Sequence, residues 1–233
     1  MNKRYWWIIV VYVLMHLSGI IGLPLLMVGF GYDELQSVVV WTLFSFLAAL
    51  VIISLLLLPD RHEARLNDDK AGPGSTVLWI VLGFFMAVFA QYLAVILETT
   101  LFGVDPESEN TQQILAFIES FPYFIIAVAI IGPILEELVF RKVIFGALYK
   151  RMNFFWAAFI SSLIFAVVHL DFEHLLVYMS GGFVFAFLYV KTNRILVPIM
   201  AHVLMNSLAA IGPELEELEE NIQLILAWIG GLF

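Results

Sequence analysis

The sequence predicts an all-α fold, a polytopic membrane bundle of about seven to eight transmembrane helices. Three observations predict it. Of 233 residues, 62% are apolar and 13% charged, with a mean hydropathy of +0.98, whereas a soluble domain is about half apolar and one-quarter charged. The apolar residues gather in runs near the length of about 20 that a bilayer core of roughly 30 Å asks of a helix. The basic residues fall in alternate gaps between those runs, the pattern of positive-inside sorting. This composition excludes a soluble enzyme and a disordered chain. The net charge of -9 excludes a nucleic-acid partner, which calls for basic patches. Cysteine is absent, which removes disulfides, thiolate metal sites and cysteine nucleophiles.

The elements follow in order. Tyr5 to Met27 is the first run. It is too long for a signal-peptide core of about 7–15 residues and lacks a small-residue cleavage pattern, so it reads as a retained helix. Val38 to Leu58 is the second run. Residues 59–76 form a polar loop with a Gly-Pro-Gly turn. Val77 to Phe102 is the third run, and residues 103–120 read as an acidic loop. Phe121 to Leu148 is the fourth, interrupted by charge. Phe154 to His169, Leu175 to Val190 and Ile195 to Ile211 are shorter candidates. Ile222 to Phe233 is shorter still, a truncated eighth span or an interfacial helix.

All 11 lysines and arginines fall at one end of these runs: Lys3 and Arg4; Arg61, Arg65 and Lys70; Arg141, Lys142, Lys150 and Arg151; Lys191 and Arg194. The opposite gaps carry Asp33 and Glu34, the acids from Asp105 to Glu119, Asp171 and Glu173, and the acids from Glu214 to Glu220. The partition predicts a multi-pass protein of the cell membrane with its N-terminus and basic loops in the cytoplasm. Three parts result: membrane helices and loops over 1–120, a core over 121–211, and an acidic loop with a short apolar segment over 212–233.

A charge at mid-bilayer costs at least about 2.5–3.5 kcal/mol on insertion scales, so polar residues inside spans face protein or a wet cavity. Those residues are Glu136, Glu137 and Arg141 on the fourth run, His169 at the end of the fifth, and His202 and Asn206 on the seventh. His16 and Gln91 stand alone on their runs and read as packing residues; His62 and His174 fall in loops. Glu137 and Arg141 are four apart, share a helix face and can pair. Glu136, about 100° around the helix, is left without a partner. It is either a general base or part of a charged rim shared with Lys142. Gly132-Pro133, one turn earlier, predicts a kink or break lining a cavity. His202 and Asn206 also share a face, and they either donate to a developing oxyanion or glue helices together. At about 1.5 Å per residue, the depths of these groups are compatible with one site without demanding it.

Glu136-Glu137-x-x-x-Arg141, Phe165-x-x-x-His169 and His202-x-x-x-Asn206, in that order, resemble the three motifs of the CAAX-protease and bacteriocin-processing (CPBP, or Abi) intramembrane proteases. Type II CAAX prenyl endopeptidases are the eukaryotic relatives. The resemblance covers about residues 121 to 211 and implies a glutamate-dependent endopeptidase inside the membrane. It implies that Glu136 and His169 activate the attacking water, that His202 and Asn206 stabilise the oxyanion, and that Glu137 and Arg141 support the site. The family has also been described as metal-dependent. Zinc would take Glu136, His169 and His202 as ligands, but a His-Glu-x-x-His helix is missing and asparagine is an unusual ligand. The expectation is therefore no cofactor, with zinc the alternative. The expected partners are membrane lipids and a hydrophobic peptide or membrane-protein substrate, cut near the cytoplasmic leaflet from a site open to that side. A non-catalytic scaffold or immunity protein is the competing reading.

Overall fold

The computed structural model describes residues 2–65 and 70–212, with side chains at 2–60 and 70–212. Its long elements are all helices: α1 (Lys3–Phe30), α2 (Glu34–Arg65), α3 (Pro73–Phe102), α4 (Glu109–Ser120), α5 (Pro122–Tyr149), α6 (Phe154–Val168), α7 (Leu175–Thr192) and α8 (Leu196–Gly212). Among the described residues there is no strand. The 5 helices α1, α2, α3, α5 and α7 are long and apolar enough to cross a membrane, while α6 and α8 are shorter apolar helices. These are the seven apolar runs of the sequence. Residues 222–233, the candidate eighth, lie outside the described residues.

The helix ends follow from local chemistry. Asn153 caps α6 by accepting the Trp156 N–H at 3.1 Å, and Ser108 caps α4 by accepting the Thr111 N–H at 3.2 Å. The α1 helix stops at Gly31 and α3 at Gly103, both with left-handed backbones (φ 70° and 69°) that glycine adopts without penalty. The α4 helix corrects the reading of residues 103–120 as a loop. Acids interrupt its short apolar pattern, yet Ile114, Phe117 and Ile118 pack together with Val39 and Phe124. That seat, supplied by α2 and α5, stabilises a helix too short to persist alone.

The α5 helix is the centre of the bundle. It buries 61% of its apolar window, against 17–33% for the other spans. Ile131, Leu135, Val139, Phe140 and Val143 of α5 form one core with Ile8 and Tyr12 of α1, Ile53 and Leu57 of α2, and Phe165 of α6. A second core joins α3, α7 and α8 through Ala87, Phe185, Leu188, Val197, Ala201 and Met205. Outward faces of α1, α2 and α3 stay apolar, as at Ile20, Phe44 and Phe85, which suits a lipid-facing surface.

Gly132-Pro133 does not break α5. The helix widens to π geometry over Ile126–Ile131, returns to α geometry over Gly132–Glu136 and widens again over Glu137–Phe145. The expected break is replaced by wide turns that absorb the missing proline donor.

Small residues let α6 and α7 approach closely. A Cβ placed on Gly182 would sit 2.5 Å from Ser162 Oγ and 2.7 Å from Ser162 Cβ. Gly182→Ala is expected to cost about 1–3 kcal/mol through overpacking, read as a lower unfolding midpoint in detergent micelles. Adding Ser162→Gly should bring the pair below the sum of the single costs.

Candidate active site

The site grows from the irregular backbone of α5. Pro133 has no N–H, and the Gly132 N–H reaches back to the Ala127 carbonyl. The Val128 carbonyl is thereby left without either of its usual helical donors. Asn206 of α8 fills the vacancy, its Nδ2 donating to Val128 O at 3.2 Å. One of the two amide hydrogens of Asn206 is so committed, and the second remains for the cavity that the residue lines.

One turn further on, the two adjacent glutamates part company. Glu137 is fully buried. Its Oε2 lies 3.3 Å from Arg141 Nε, and its Oε1 lies 2.9 Å from His202 Nδ1. Arg141 is buried too, and its Nη atoms have no hydrogen-bond partner among the described residues. Aromatic faces surround it instead: the guanidinium carbon lies 4.5 Å from the Phe165 ring centroid and 5.4 Å from that of Phe185. Phe185 in turn stacks on His202 at 4.6 Å. The chain Arg141–Glu137–His202 thus ties α5 to α8, with rings from α6 and α7 packed over it.

His169 closes α6. A helix leaves its last carbonyls without donors, and here Phe165 O lies 2.8 Å from His169 Nδ1. A carbonyl and a carboxylate only accept hydrogen bonds, so Nδ1 of both His169 and His202 carries hydrogen. Both Nε2 atoms face Glu136. His169 Nε2 lies 4.0 Å from Glu136 Oε1, and His202 Nε2 lies 3.6 Å from Glu136 Oε2. These separations exceed a direct hydrogen bond and suit one bent bridge through water. Glu136 keeps 17% of its side chain accessible, whereas Glu137 keeps none.

Glu136, His169, His202 and Asn206 share one cavity of about 880 Å³. It also reaches Glu107, Ser108, Thr111 and Gln112, in α4 and the loop before it, and among the described residues neither lysine nor arginine lines it. The cavity therefore runs to the acid-rich end of the bundle, which corrects the expectation of an opening on the basic side. Among the described residues, packed side chains fill the basic end. Val143 and Phe145 are buried there, and Asp60 of α2 gathers Tyr5 (2.7 Å), Arg4 (3.3 Å) and Lys142 (3.6 Å). Lys142 belongs to that cluster, so the two glutamates and Arg141 do not form a charged rim with it.

The sequence reading missed several members of the cavity. His16 and Gln91, read as packing residues, both line it, as does His174. His174 Nδ1 lies 3.3 Å from Glu98 Oε2, and Glu98 Oε1 accepts the Leu176 N–H at 2.7 Å. A carboxylate inside the third apolar run was the available signal. Among the described residues, no group of three or more His, Asp or Glu side chains is placed to hold a metal ion. Glu136 turns one oxygen to each imidazole.

Acid–base side chains gathered on one cavity inside an apolar bundle define a membrane-embedded enzyme. Residues 118–208 match the family model described as Type II CAAX prenyl endopeptidase Rce1-like. The chain is 47% identical to a Bacillus subtilis (strain 168) protein named membrane peptidase YdiL, the alignment covering 100% of both. It is 36% identical to the membrane-embedded CAAX protease MroQ of Staphylococcus aureus (strain USA300), over 78% of this chain and 76% of that protein. No solved structure matches the chain. The chain belongs to the Rce1-like CAAX protease family and is a CAAX-type intramembrane protease.

Removing one partner from a buried ion chain strands the other, at a cost of about 3–5 kcal/mol. Arg141→Ala is expected to show that loss in thermal unfolding of the detergent-solubilised protein. Glu136→Ala, which breaks no direct hydrogen bond, should stay within about 1 kcal/mol of the parent. Asn206→Ala falls between them, at about 1–3 kcal/mol for the stranded Val128 carbonyl.

Proposed function

We propose that this protease hydrolyses peptide bonds of a hydrophobic or membrane-associated peptide with a water activated by Glu136, without a metal. The observation that carries the reading is the facing of three acceptors: the Glu136 carboxylate and the Nε2 atoms of His169 and His202. Acceptors that close repel one another unless a proton donor lies between them, and a water molecule supplies two protons.

In this mechanism the water donates one hydrogen to Glu136 and the other to His169 Nε2. Glu136 removes its proton as the oxygen attacks the scissile carbonyl carbon. The C–N bond then breaks, the hydroxyl stays on the acyl fragment, and the proton held by Glu136 passes to the leaving amine. Asn206 presents its second amide hydrogen to the oxyanion. His202 Nε2 donates to that oxyanion once it carries a proton, its ring held in place by the Glu137 carboxylate at Nδ1. Glu137 then plays the part that a buried aspartate plays behind a catalytic histidine, fixing the tautomer and orientation of the ring.

The distribution of basic residues supports a cytoplasmic N-terminus. The acid-rich mouth of the cavity then faces away from the cytoplasm, and the substrate enters from that side or from the lipid beside it.

The test compares new peptide termini on membranes from cells carrying the intact protein or Glu136→Ala at matched expression. Ends that require Glu136, and that persist when 1,10-phenanthroline is added, are expected; the substitution should lower their rate of appearance by at least about 10²-fold. Undiminished ends in the variant would remove Glu136 from the mechanism. Loss of the ends with chelator, restored by zinc, would replace the metal-free reading with the zinc one.

A further inference from the structure

We infer that Tyr178 of α7 is a positioning residue that aims His169 at Glu136, and that residues just before and within α4 set its position. The inference rests on the reading of His169 as the partner of the attacking water.

The Tyr178 ring stacks on the His169 imidazole with centroids 4.1 Å apart and planes 29° from parallel. Phe165 meets the same imidazole edge-on at 4.6 Å, and its carbonyl fixes Nδ1. With two rings and one hydrogen bond around it, the imidazole has a single orientation, and Nε2 points at the carboxylate. The stacking ring is itself anchored. The Tyr178 hydroxyl accepts from Asn110 Nδ2 at 3.1 Å and donates to Asp171 Oδ2 at 3.4 Å. Asp171 Oδ2 also accepts from Ser108 Oγ at 2.7 Å.

The backbone beside His169 shows why such an anchor is required. Leu170 has a φ of 58°, a left-handed conformation that a bulky residue adopts only when its surroundings hold it there. Asp171, the next residue, is where the bonds from Ser108 and Tyr178 meet. The strained turn that ends α6 is therefore pinned from α7 and from the start of α4. Ser108 and Asn110 precede the segment 118–208 matched to the family, so this support comes from outside that segment.

The test uses purified full-length protein in micelles and a synthetic copy of a peptide whose Glu136-dependent ends the membrane comparison identifies. Tyr178→Phe keeps the ring and loses both hydroxyl bonds; Tyr178→Leu loses the ring as well. A misplaced catalytic group costs up to about 10²-fold, so kcat is expected to fall about 100-fold in Tyr178→Leu and about 3- to 10-fold in Tyr178→Phe, with KM within about twofold of the parent. A second readout is independent of substrate. With only 5 histidines in the chain, ring-proton NMR resolves each, and His169→Gln assigns the one in question. Stacking under Tyr178 should move the His169 ring protons upfield, and Tyr178→Leu should abolish the shift while Tyr178→Phe retains it. An unmoved His169 resonance in Tyr178→Leu overturns the inference. So does full activity of Tyr178→Leu beside an inactive His169→Gln, which leaves the mechanism standing. Full activity of His169→Gln removes His169 from the mechanism and the inference with it.

Discussion

The carboxylate of Glu137 is the constraint around which the matched segment is arranged. A fully buried anion persists in an apolar bundle only if each oxygen has a partner, and its two partners come from different places: Arg141 one turn along the same helix, His202 from α8. The guanidinium then needs company of its own, which Phe165 of α6 and Phe185 of α7 provide with their faces. One charge thereby draws four helices together. An apolar set of similar volume could pack the same space without the desolvation cost. Such a set would leave His202 free to rotate, so the ion chain contributes orientation where it contributes little net stability.

Two adjacent glutamates divide the work because a helix separates neighbours by about 100°. Glu137 faces the core and is consumed by structure; Glu136 faces the cavity and keeps its carboxylate available. The wide turns of α5 belong to the same arrangement. Pro133 and the rerouted Gly132 N–H strip the Val128 carbonyl of its donors, and the amide that repairs the loss is Asn206. The bland and the functional readings of Asn206 are thus compatible, since an amide has two hydrogens, one for helix gluing and one for the cavity.

Local features were legible in the sequence and distant ones were not. Apolar runs located α1, α2, α3 and α5 to α8 because hydropathy is a property of each segment alone. The Glu137–Arg141 pair was legible because its spacing is one helical turn. The His202–Glu137 bond spans 65 positions and the His174–Glu98 bond 76, and no local pattern reports such meetings. His174 consequently looked like a loop histidine and Tyr178 like one more apolar residue of α7. The α4 helix was hidden for a related reason: its apolar positions acquire meaning only from the seat that Val39 and Phe124 supply. The direction of the cavity was illegible because basic residues record which end stays in the cytoplasm, and say nothing of which end the helices leave open.

The helices outside the family segment do more than anchor it. Tyr12 and His16 of α1, Thr42 and Phe46 of α2, and Gln91 and Val95 of α3 line the same cavity as Glu136, His169 and His202. The segment 118–208 supplies the wall with the acid–base groups, and the preceding helices supply much of the wall facing it. Under the proposed mechanism, a peptide bond brought to Glu136 lies between the imidazoles and that second wall of the same cavity. In the proposed mechanism the groups that handle protons lie on α5, α6 and α8, which leaves α1, α2, α3 and α4 to line the rest of the cavity. This division lets the facing wall change its shape without disturbing the buried carboxylate that holds the other wall in place.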